Sequence, residues 1–216
     1  MKEEIFQKMI QAVLHGELED AEALARQTLA QNIDPLECIT QGLTKGIREV
    51  GEKFAAGEYF LPELIFGANA MKAALAILEP AMVGGQQREV VAHVVLGTVE
   101  GDLHEIGKTL VGTMLTANGF KVTDIGVDQS SDAFIEAIKE SNATIVGVSA
   151  LLTTTMLQQQ KLIEALEEAG VRDQVKVIIG GAPVTQSFAS EIGADGYAED
   201  AIAAVDLAMR LADAAA

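Results

Sequence analysis

The sequence predicts two parts of different fold class, an N-terminal bundle of four helices and a C-terminal α/β part. Apolar residues recur at helical spacing over about the first 80 residues. Beyond them, apolar β-branched runs alternate with amphipathic segments, as in a parallel sheet with helices on both faces. A polar segment with two glycines, at about residues 82–89, predicts a linker between domains 1–85 and 90–216.

The helices of the bundle are predicted from their apolar spacing and from their ends. Gly16 separates the first helix from the second. Asp34 before Pro35 is typical of an N-cap followed by proline at the first helical position. Leu61 and Pro62 open the last helix. The predicted helices cover about residues 5–14, 18–29, 35–57 and 61–79.

The C-terminal part predicts a Rossmann-like, flavodoxin-like domain with five parallel strands. The first run, at 90–99, is apolar almost throughout, which is typical of a strand buried on both faces. The predicted strands are 90–99, 120–125, 143–151, 175–181 and 195–197. The predicted helices are 106–117, 132–140, 155–169, 184–192 and 201–214.

Composition excludes several classes of function. The chain has 216 residues, with 15 Lys and Arg against 32 Asp and Glu, so its net charge is −17. This acidity argues against nucleic acid and anionic membrane surfaces as partners. A single cysteine, Cys38, excludes an internal disulfide framework or a thiolate metal cluster. We expect a cytoplasmic protein whose metal or redox chemistry comes from a bound cofactor.

Three loops are expected to meet at one edge of the sheet, because ligands of such sheets bind beyond the carboxyl ends of the strands. They are GTVEGDLHEIGKTL (97–110), VSALLTTTM (148–156) and IGGAPVT (179–185). The first loop contains Gly107-Lys108-Thr109 before a helix, as a phosphate-binding loop does. However, that motif needs glycine at position 102, where this chain has Asp102. Nucleotide hydrolysis is therefore disfavoured.

Asp102 and His104 lie two residues apart in the first loop, so both side chains can point to the same side. A carboxylate that holds one ring nitrogen of a histidine fixes its tautomer and makes the other nitrogen a better metal ligand. The alternative is that His104 caps the following helix and Asp102 is a turn residue. The pattern alone leaves both interpretations open.

The three loops together resemble those of cobalamin-binding domains. Asp102 to Gly107 matches the D-x-H-x-x-G signature, Ser149-Ala150-Leu151 matches the S-x-L element, and Gly180-Gly181 matches the glycine pair. With a four-helix segment in front, nearly the whole chain is similar to the corrinoid protein of three-component methyltransferase systems for methanol, methylamines or methoxylated aromatics. Residues 50–71 resemble the cap of that family and of methionine synthase.

The resemblance implies a role for each matching residue. His104 would be the lower axial ligand of cobalt, in place of the displaced nucleotide base, and Asp102 would hydrogen-bond it. Thr155 stands where methionine synthase has the serine that completes the proton relay. Small residues would make a slot for the nucleotide tail, and Phe60, Leu64 and Met71 of the cap would face the methyl-bearing side or else be ordinary bundle core. The implied cofactor-binding residues are Gly101, Asp102, Leu103, His104, Glu105, Ile106, Gly107, Ser149, Leu151, Thr153, Gly180 and Gly181.

The implied function is that of a methyl carrier without turnover of its own. Its cobalt would cycle between Co(I) and methyl-Co(III), with cobalamin base-off and His-on. The implied partners are a substrate:corrinoid methyltransferase, a methyltransferase for tetrahydrofolate or coenzyme M, and a reductive activase. Two alternatives share the motif, a cobalamin-dependent sensor or regulator and the small subunit of an adenosylcobalamin mutase. The sensor usually needs a fused signalling or DNA-binding domain, and the mutase subunit is not expected to carry the helical cap.

Overall fold

The chain divides into two compact units, Met1–Glu89 and Val90–Ala216. The computed structural model describes residues 2–82 and 90–214. The predicted linker at about 82–89 therefore lies almost wholly outside the described residues. The boundary between the predicted domains 1–85 and 90–216 stays a prediction.

The N-terminal unit is built from the four helical runs that the sequence predicts. The third run is continuous but contains a π-helical stretch, Ile39–Leu43, between two α-helical parts. Its start agrees with the predicted cap, since Asp34 accepts a hydrogen bond from the Leu36 amide at 3.2 Å. A short 3-10 turn, Glu79–Ala81, follows the last helix. The helices are α1 (Lys2–Leu14), α2 (Leu18–Ala30), α3 (Pro35–Cys38), α4 (Thr44–Ala55) and α5 (Leu61–Leu78).

Helix α1 packs on α2, α4 and α5, and two glycines of the third run let it come close. A Cβ at Gly42 would lie 3.0 Å from the Cβ of Met9, and one at Gly46 would lie 2.8 Å from that of Val13. Both α1 side chains are completely buried. The close approach lets large apolar side chains of α1 fill the space that a Cβ on the other helix would take.

Helix α5 is the most apolar of the bundle. With the turn after it, Leu61–Ala81 is the one segment of the described residues long and apolar enough to cross a membrane by length and composition. One side of α5 is buried in the structure, including Leu64, Met71 and Leu75. A core helix that packs on its neighbours has the same composition.

The C-terminal unit contains a five-stranded sheet of order β2-β1-β3-β4-β5 in which every pairing is parallel. Helix α6 contacts α10, whereas α7 contacts α8. The predicted class, a helical bundle followed by a Rossmann-like sheet, is confirmed. The strands are β1 (His93–Val99), β2 (Lys121–Gln129), β3 (Ile145–Ser149), β4 (Lys176–Gly180) and β5 (Gly196–Ala198). The helices are α6 (Ile106–Ala117), α7 (Ser131–Ser141), α8 (Leu157–Glu168), α9 (Gln186–Glu191) and α10 (Ala201–Asp213).

Two ends of elements differ from the prediction in ways that bear on the loops. Strand β2 continues to Gln129, four residues past its predicted end. Helix α8 begins at Leu157 rather than Thr155, because the preceding residues form a turn in which Thr155 contacts Leu152. Both differences lie at the C-terminal edge of the sheet.

Candidate cofactor site at the C-terminal edge of the sheet

The ends of four strands form one row across the sheet. Thr98 pairs with Ser149, Ser149 with Gly180, and Gly180 with Ala198. The row brings the second residues of the three predicted loops side by side, although they are far apart in sequence. The convergence expected from the parallel order is therefore observed.

The first loop leaves β1 through a tight turn. The Asp102 amide donates to the carbonyl oxygen of Val99 at 3.1 Å, which closes a four-residue turn. Gly101, the third residue of this turn, has a φ of +79°, in the left-handed region that favours glycine. The turn drives Asp102 inward, where its side chain is completely buried.

Asp102 is the centre of the site. Its Oδ2 accepts hydrogen bonds from the Leu151 amide and from the Thr155 hydroxyl, both at 2.7 Å. Its Oδ1 accepts from the His104 amide at 3.1 Å and lies 2.6 Å from the His104 Nδ1. Burial by itself raises the pKa of this carboxyl. The hydrogen bonds from Thr155, Leu151 and His104 outweigh it and hold the pKa well below its usual range.

His104 is oriented by this carboxylate. An ionised carboxylate only accepts hydrogen bonds, so the Nδ1 of His104 carries the proton and donates a hydrogen bond to Asp102. The Nε2 is then the nitrogen with a free lone pair, and half of the His104 side chain is exposed. The Thr98 hydroxyl donates to the backbone carbonyl of His104 at 3.0 Å, which fixes the loop from the strand side.

An exposed apolar surface follows the ends of β1 and β3. Leu103 and Ile106 are each 72% exposed, and Leu151 is 41% exposed. Leu152 and Leu157, which sequence reasoning did not select, are also exposed. Glu105 and Thr153 are exposed in the same loops, and Ser149 is half-buried at the end of β3. Apolar side chains left in solvent beside the Asp102–His104 pair are typical of a binding surface.

The glycines predicted to make room for the cofactor fall into two groups. At Gly107, in the first turn of α6, no atom lies within 4 Å of a Cβ. At Gly180 a Cβ would lie 2.9 Å from the carbonyl oxygen of Ala198, and at Gly181 it would overlap that of Ala150. The pair at 180–181 is therefore required by the protein's own backbone. Of these three glycines, Gly107 alone has no neighbouring atom in the described structure that would exclude a Cβ.

We expect Gly107→Ala to have opposite effects on the cofactor-free and the cofactor-bound protein. Alanine is about 0.5–1 kcal/mol more favourable than glycine in a helix interior, so in the first turn of α6 it should raise the free energy of unfolding without cofactor by up to that amount. If the cofactor uses the space beside α6, its dissociation constant should rise at least about tenfold, the cost of one misplaced methyl group in a packed contact. Urea unfolding measures the free energy of unfolding, and a binding titration measures the dissociation constant of the cofactor. Unchanged binding would contradict a contact between Gly107 and the cofactor.

Lys108, which the phosphate-loop alternative would place on an anion, is instead buried against β2. Its ammonium pairs with the carboxylate of Asp124, and its side chain is 3% exposed. Asp124 also accepts from the Gly126 amide at 2.9 Å. The structure thus gives this lysine a partner within the C-terminal unit.

The three cap residues named from the sequence have different environments. Leu64 and Met71 are completely buried, as the bundle-core alternative expects. Phe60 is 67% exposed, and Leu61 and Phe66 are also exposed. Of the three predicted residues, Phe60 alone presents a large apolar surface.

Sequence reasoning missed three polar residues that fix these loops. Thr98 is completely buried, and its place inside an apolar run was the available signal. Gln159 is also buried, and its side-chain amide donates to the carbonyl oxygens of Val148 and Gly180, which ties α8 to two strand ends. Asp128 contacts the first loop from β2 and lies beyond the predicted end of that strand.

The side chains present suit a metal that brings most of its own ligands. Among residues 2–82 and 90–214, no group of three or more His, Cys, Asp or Glu is arranged to hold a metal ion. The site offers one oriented imidazole nitrogen, beside an apolar surface. A corrin supplies four nitrogens to cobalt and has a broad apolar face, so these residues fit cobalamin.

Comparisons with known proteins agree with this fit. Two family models, each described as a B12 binding domain, match residues 5–79 and 92–206. The trimethylamine corrinoid protein of Methanosarcina barkeri is 47% identical over 97% of this chain and 99% of its own length. The dimethylamine corrinoid protein 1 of Methanosarcina mazei is 45% identical over 97% of each chain.

Solved structures are similar over the same length. A cobalamin-binding protein from Desulfitobacterium hafniense DCB-2 is 35% identical, with a TM-score of 0.79 over 95% of this chain and 98% of that one. The methanol:cobalamin methyltransferase complex MtaBC from Methanosarcina barkeri contains a chain that is 29% identical, with a TM-score of 0.85 over 100% of this chain and 80% of that one.

The fold, the strand-edge site and these matches define a cobalamin-binding protein. The chain belongs to the family of B12-binding corrinoid proteins of methyltransferase systems, and cobalamin is its cofactor. The resemblance predicted from the D-x-H-x-x-G, S-x-L and glycine-pair elements is confirmed.

Proposed function

We propose that this protein carries a methyl group between two methyltransferases on cobalamin that is held base-off, with His104 as the lower ligand of cobalt. Bound cobalamin supplies a cobalt that accepts a methyl group as Co(I) and gives it up as methyl-Co(III). The chain itself binds, orients and shields this group and has no turnover of its own.

The hydrogen bond between Asp102 and His104 is the observation that carries the proposal. It joins Oδ1 to Nδ1 at 2.6 Å, and it leaves the Nε2 lone pair for the metal. Asp102 cannot turn away, because the Leu151 amide and the Thr155 hydroxyl hold its other oxygen. A ligand fixed in this way loses little conformational entropy when it coordinates.

Thr155 and Asp102 also form a path for a proton to the axial ligand. The hydroxyl, the carboxylate and the imidazole are linked in series by hydrogen bonds of 2.7 and 2.6 Å. A proton taken up along this series weakens the basicity of His104 toward the metal, and its loss strengthens it. The hydrogen bond from Thr155 to Asp102 supports the relay role that we propose for this residue.

The relatives' names suggest a first partner for this carrier. Corrinoid proteins named for trimethylamine and dimethylamine are 44–47% identical to this chain. These identities favour a methylated amine as the first donor to test, delivered by a substrate:corrinoid methyltransferase. The second partner transfers the methyl group to tetrahydrofolate or coenzyme M, and a reductive activase restores Co(I).

We expect the Co(II) form of the reconstituted protein to show coupling to one histidine nitrogen by electron paramagnetic resonance. Growth with nitrogen-15 histidine should change the superhyperfine triplet into a doublet, because the nuclear spin of the ligand nitrogen changes. A triplet that persists in the labelled protein would mean that the nucleotide base remains on cobalt, and it would contradict the proposal.

The other histidines provide matched controls. The chain has three, and only His104→Ala should abolish the histidine coupling. His15→Ala alters an exposed residue of the cap, and His93→Ala removes a ring that hydrogen-bonds the Ser141 carbonyl. Both variants should keep the labelled doublet.

The carrier role is tested by loading and unloading the methyl group. We expect the protein reduced to Co(I) to take a methyl group from methyl iodide, and to pass it to a thiol or folate acceptor when the acceptor methyltransferase is added. Failure to load would contradict the carrier role. A requirement for the adenosyl form would favour the mutase alternative.

A further inference from the structure

Strand β2 reaches the cofactor site because it carries extra residues relative to β1. Leu96 pairs with Asp124, Gly97 with Gly126, and Val99 with Gln129, so the register shifts twice. Such bulges bend a strand and re-aim its side chains, and they recur beside functional sites. Here they bring the end of this edge strand alongside the turn that leads from β1 to His104.

Asp128 lies in this irregular stretch and forms two hydrogen bonds with the backbone of the turn that follows β1. Its Oδ1 accepts from the Gly101 amide at 2.7 Å, and its own amide donates to the Asp102 carbonyl at 3.0 Å. Its φ is +55°, a left-handed conformation uncommon for residues other than glycine. Strained backbone of this kind clusters at functional sites, where the surrounding contacts hold it in place.

These two bonds fix the backbone from which the Asp102 carboxylate projects. Thr155 and Leu151 hold the carboxylate itself from the β3 side. Asp128 holds the main chain from the opposite side, at β2. The Oδ1 of Asp102 accepts hydrogen bonds from both the amide and the ring nitrogen of His104. A shift of the Gly101–Asp102 backbone therefore moves the imidazole as well.

We propose that Asp128 is a positioning residue for the axial ligand: through the Gly101–Asp102 turn it sets where the His104 ring stands relative to the cofactor. The proposal rests on the proposed role of His104. The proposed contribution of Asp128 is the hydrogen bond that it accepts from the Gly101 amide, and Asp128→Asn separates this bond from the charge of the carboxylate.

The test measures binding of cobinamide, a cobalamin fragment without the nucleotide tail, whose affinity depends on the corrin surface and the histidine ligand. Asp128→Gly keeps the left-handed backbone but removes the acceptor, and it should raise the dissociation constant about fivefold, the effect of one lost hydrogen bond. Asp128→Asn keeps both the acceptor and the backbone preference, and it should bind like the wild type.

A double-mutant cycle shows whether the effect passes through His104. In a His104→Ala background, Asp128→Gly should change the cobinamide dissociation constant by less than about twofold. The same fivefold loss in that background would overturn the proposal, because Asp128 would then act on the cofactor or the fold directly. If Asp128→Asn weakened cobinamide binding as much as Asp128→Gly does, the proposal would also be overturned, because the charge of Asp128 would then be what matters.

A matched control changes the same kind of backbone away from the site. Asn142 has a φ of +52° at the C-terminus of α7, and Asn142→Gly should leave cobinamide binding unchanged. The histidine coupling of wild-type Co(II) cobalamin separates the two proposals. Its absence contradicts the role of His104, whereas its presence with unaltered cobinamide binding in Asp128→Gly contradicts the role of Asp128 alone.

Discussion

Asp102→Asn is expected to abolish histidine ligation and to lower the free energy of unfolding of the cofactor-free protein by about 2 kcal/mol. The carboxylate accepts four hydrogen bonds in a completely buried position. Asparagine has a single acceptor oxygen. If that oxygen stays on Leu151 and Thr155, the amide group faces the His104 amide and ring. The His104 amide then loses its acceptor.

The same substitution also changes the tautomer of His104. Facing an N–H donor, the Nδ1 of His104 becomes an acceptor, and the proton moves to Nε2. An imidazole protonated at Nε2 cannot give that lone pair to a metal. Electron paramagnetic resonance of the Co(II) form measures the ligation, and urea unfolding measures the stability. Asp132→Asn, at an exposed position in α7, is the control and should change neither.

The effect of Asp102→Asn on stability should depend on pH. Because the pKa of Asp102 is depressed in the folded protein, the carboxylate contributes stability above its unfolded pKa of about 4. This contribution is lost as the pH falls toward the folded pKa. The difference in unfolding free energy between wild type and variant should therefore be largest near neutral pH and narrow below about pH 4. A difference that stays constant into acid would contradict this account of the carboxyl.

Much of the fold could be predicted because each part has a strong local signal. Helix α6 was predicted with the same bounds, since its apolar residues repeat regularly and it ends before Asn118-Gly119. The parallel order then places the three loops at one edge, and Thr98, Ser149 and Gly180 do stand in one row. The predicted end of β2 was wrong because a glycine such as Gly126 is typical of a turn. In the structure its φ of +96° occurs inside a bulge, and the strand continues beyond it.

The site was predictable where a motif names the residue and unpredictable where a tertiary contact selects it. Asp102 and His104 were candidates from their spacing, and the resemblance gave roles to them and to Thr155. The structure joins the three side chains by hydrogen bonds. Asp128 has no motif of its own, and only the bulge places it against Gly101, which is 27 residues earlier. Its interaction is therefore visible only once the strand register is known.

The reason for the glycine at 181 also differs between sequence and structure. The sequence suggested room for a nucleotide tail, but the residue has a φ of +124°, and a Cβ would lie 2.7 Å from the carbonyl carbon of Ala150. Ala150 precedes Leu151, whose amide holds Asp102. A displacement of Ala150 by a Cβ at position 181 would therefore be passed through two residues of backbone to the carboxylate that orients His104.

We therefore expect Gly181→Ala to be among the most damaging single substitutions in the C-terminal unit. Backbone overlap and a forbidden φ together should lower the free energy of unfolding by about 4 kcal/mol or more. Gly193→Ala separates the two causes. Gly193 also has a positive φ, +75°, but no atom lies within 4 Å of its Cβ position, so alanine there should cost about 1–2 kcal/mol from backbone strain alone.

Urea unfolding of both glycine variants measures the difference between their free energies of unfolding. Hydrogen exchange of the Leu151 amide shows whether a displacement of Ala150 reaches the hydrogen bond to Asp102. In Gly181→Ala this amide should exchange faster than in the wild type, because moving Ala150 weakens the bond to Asp102. In Gly193→Ala it should exchange at the wild-type rate. Equal losses of stability in the two variants would mean that the close approach to Ala150 is relieved at no cost, and that the glycine pair is needed for its backbone conformation alone.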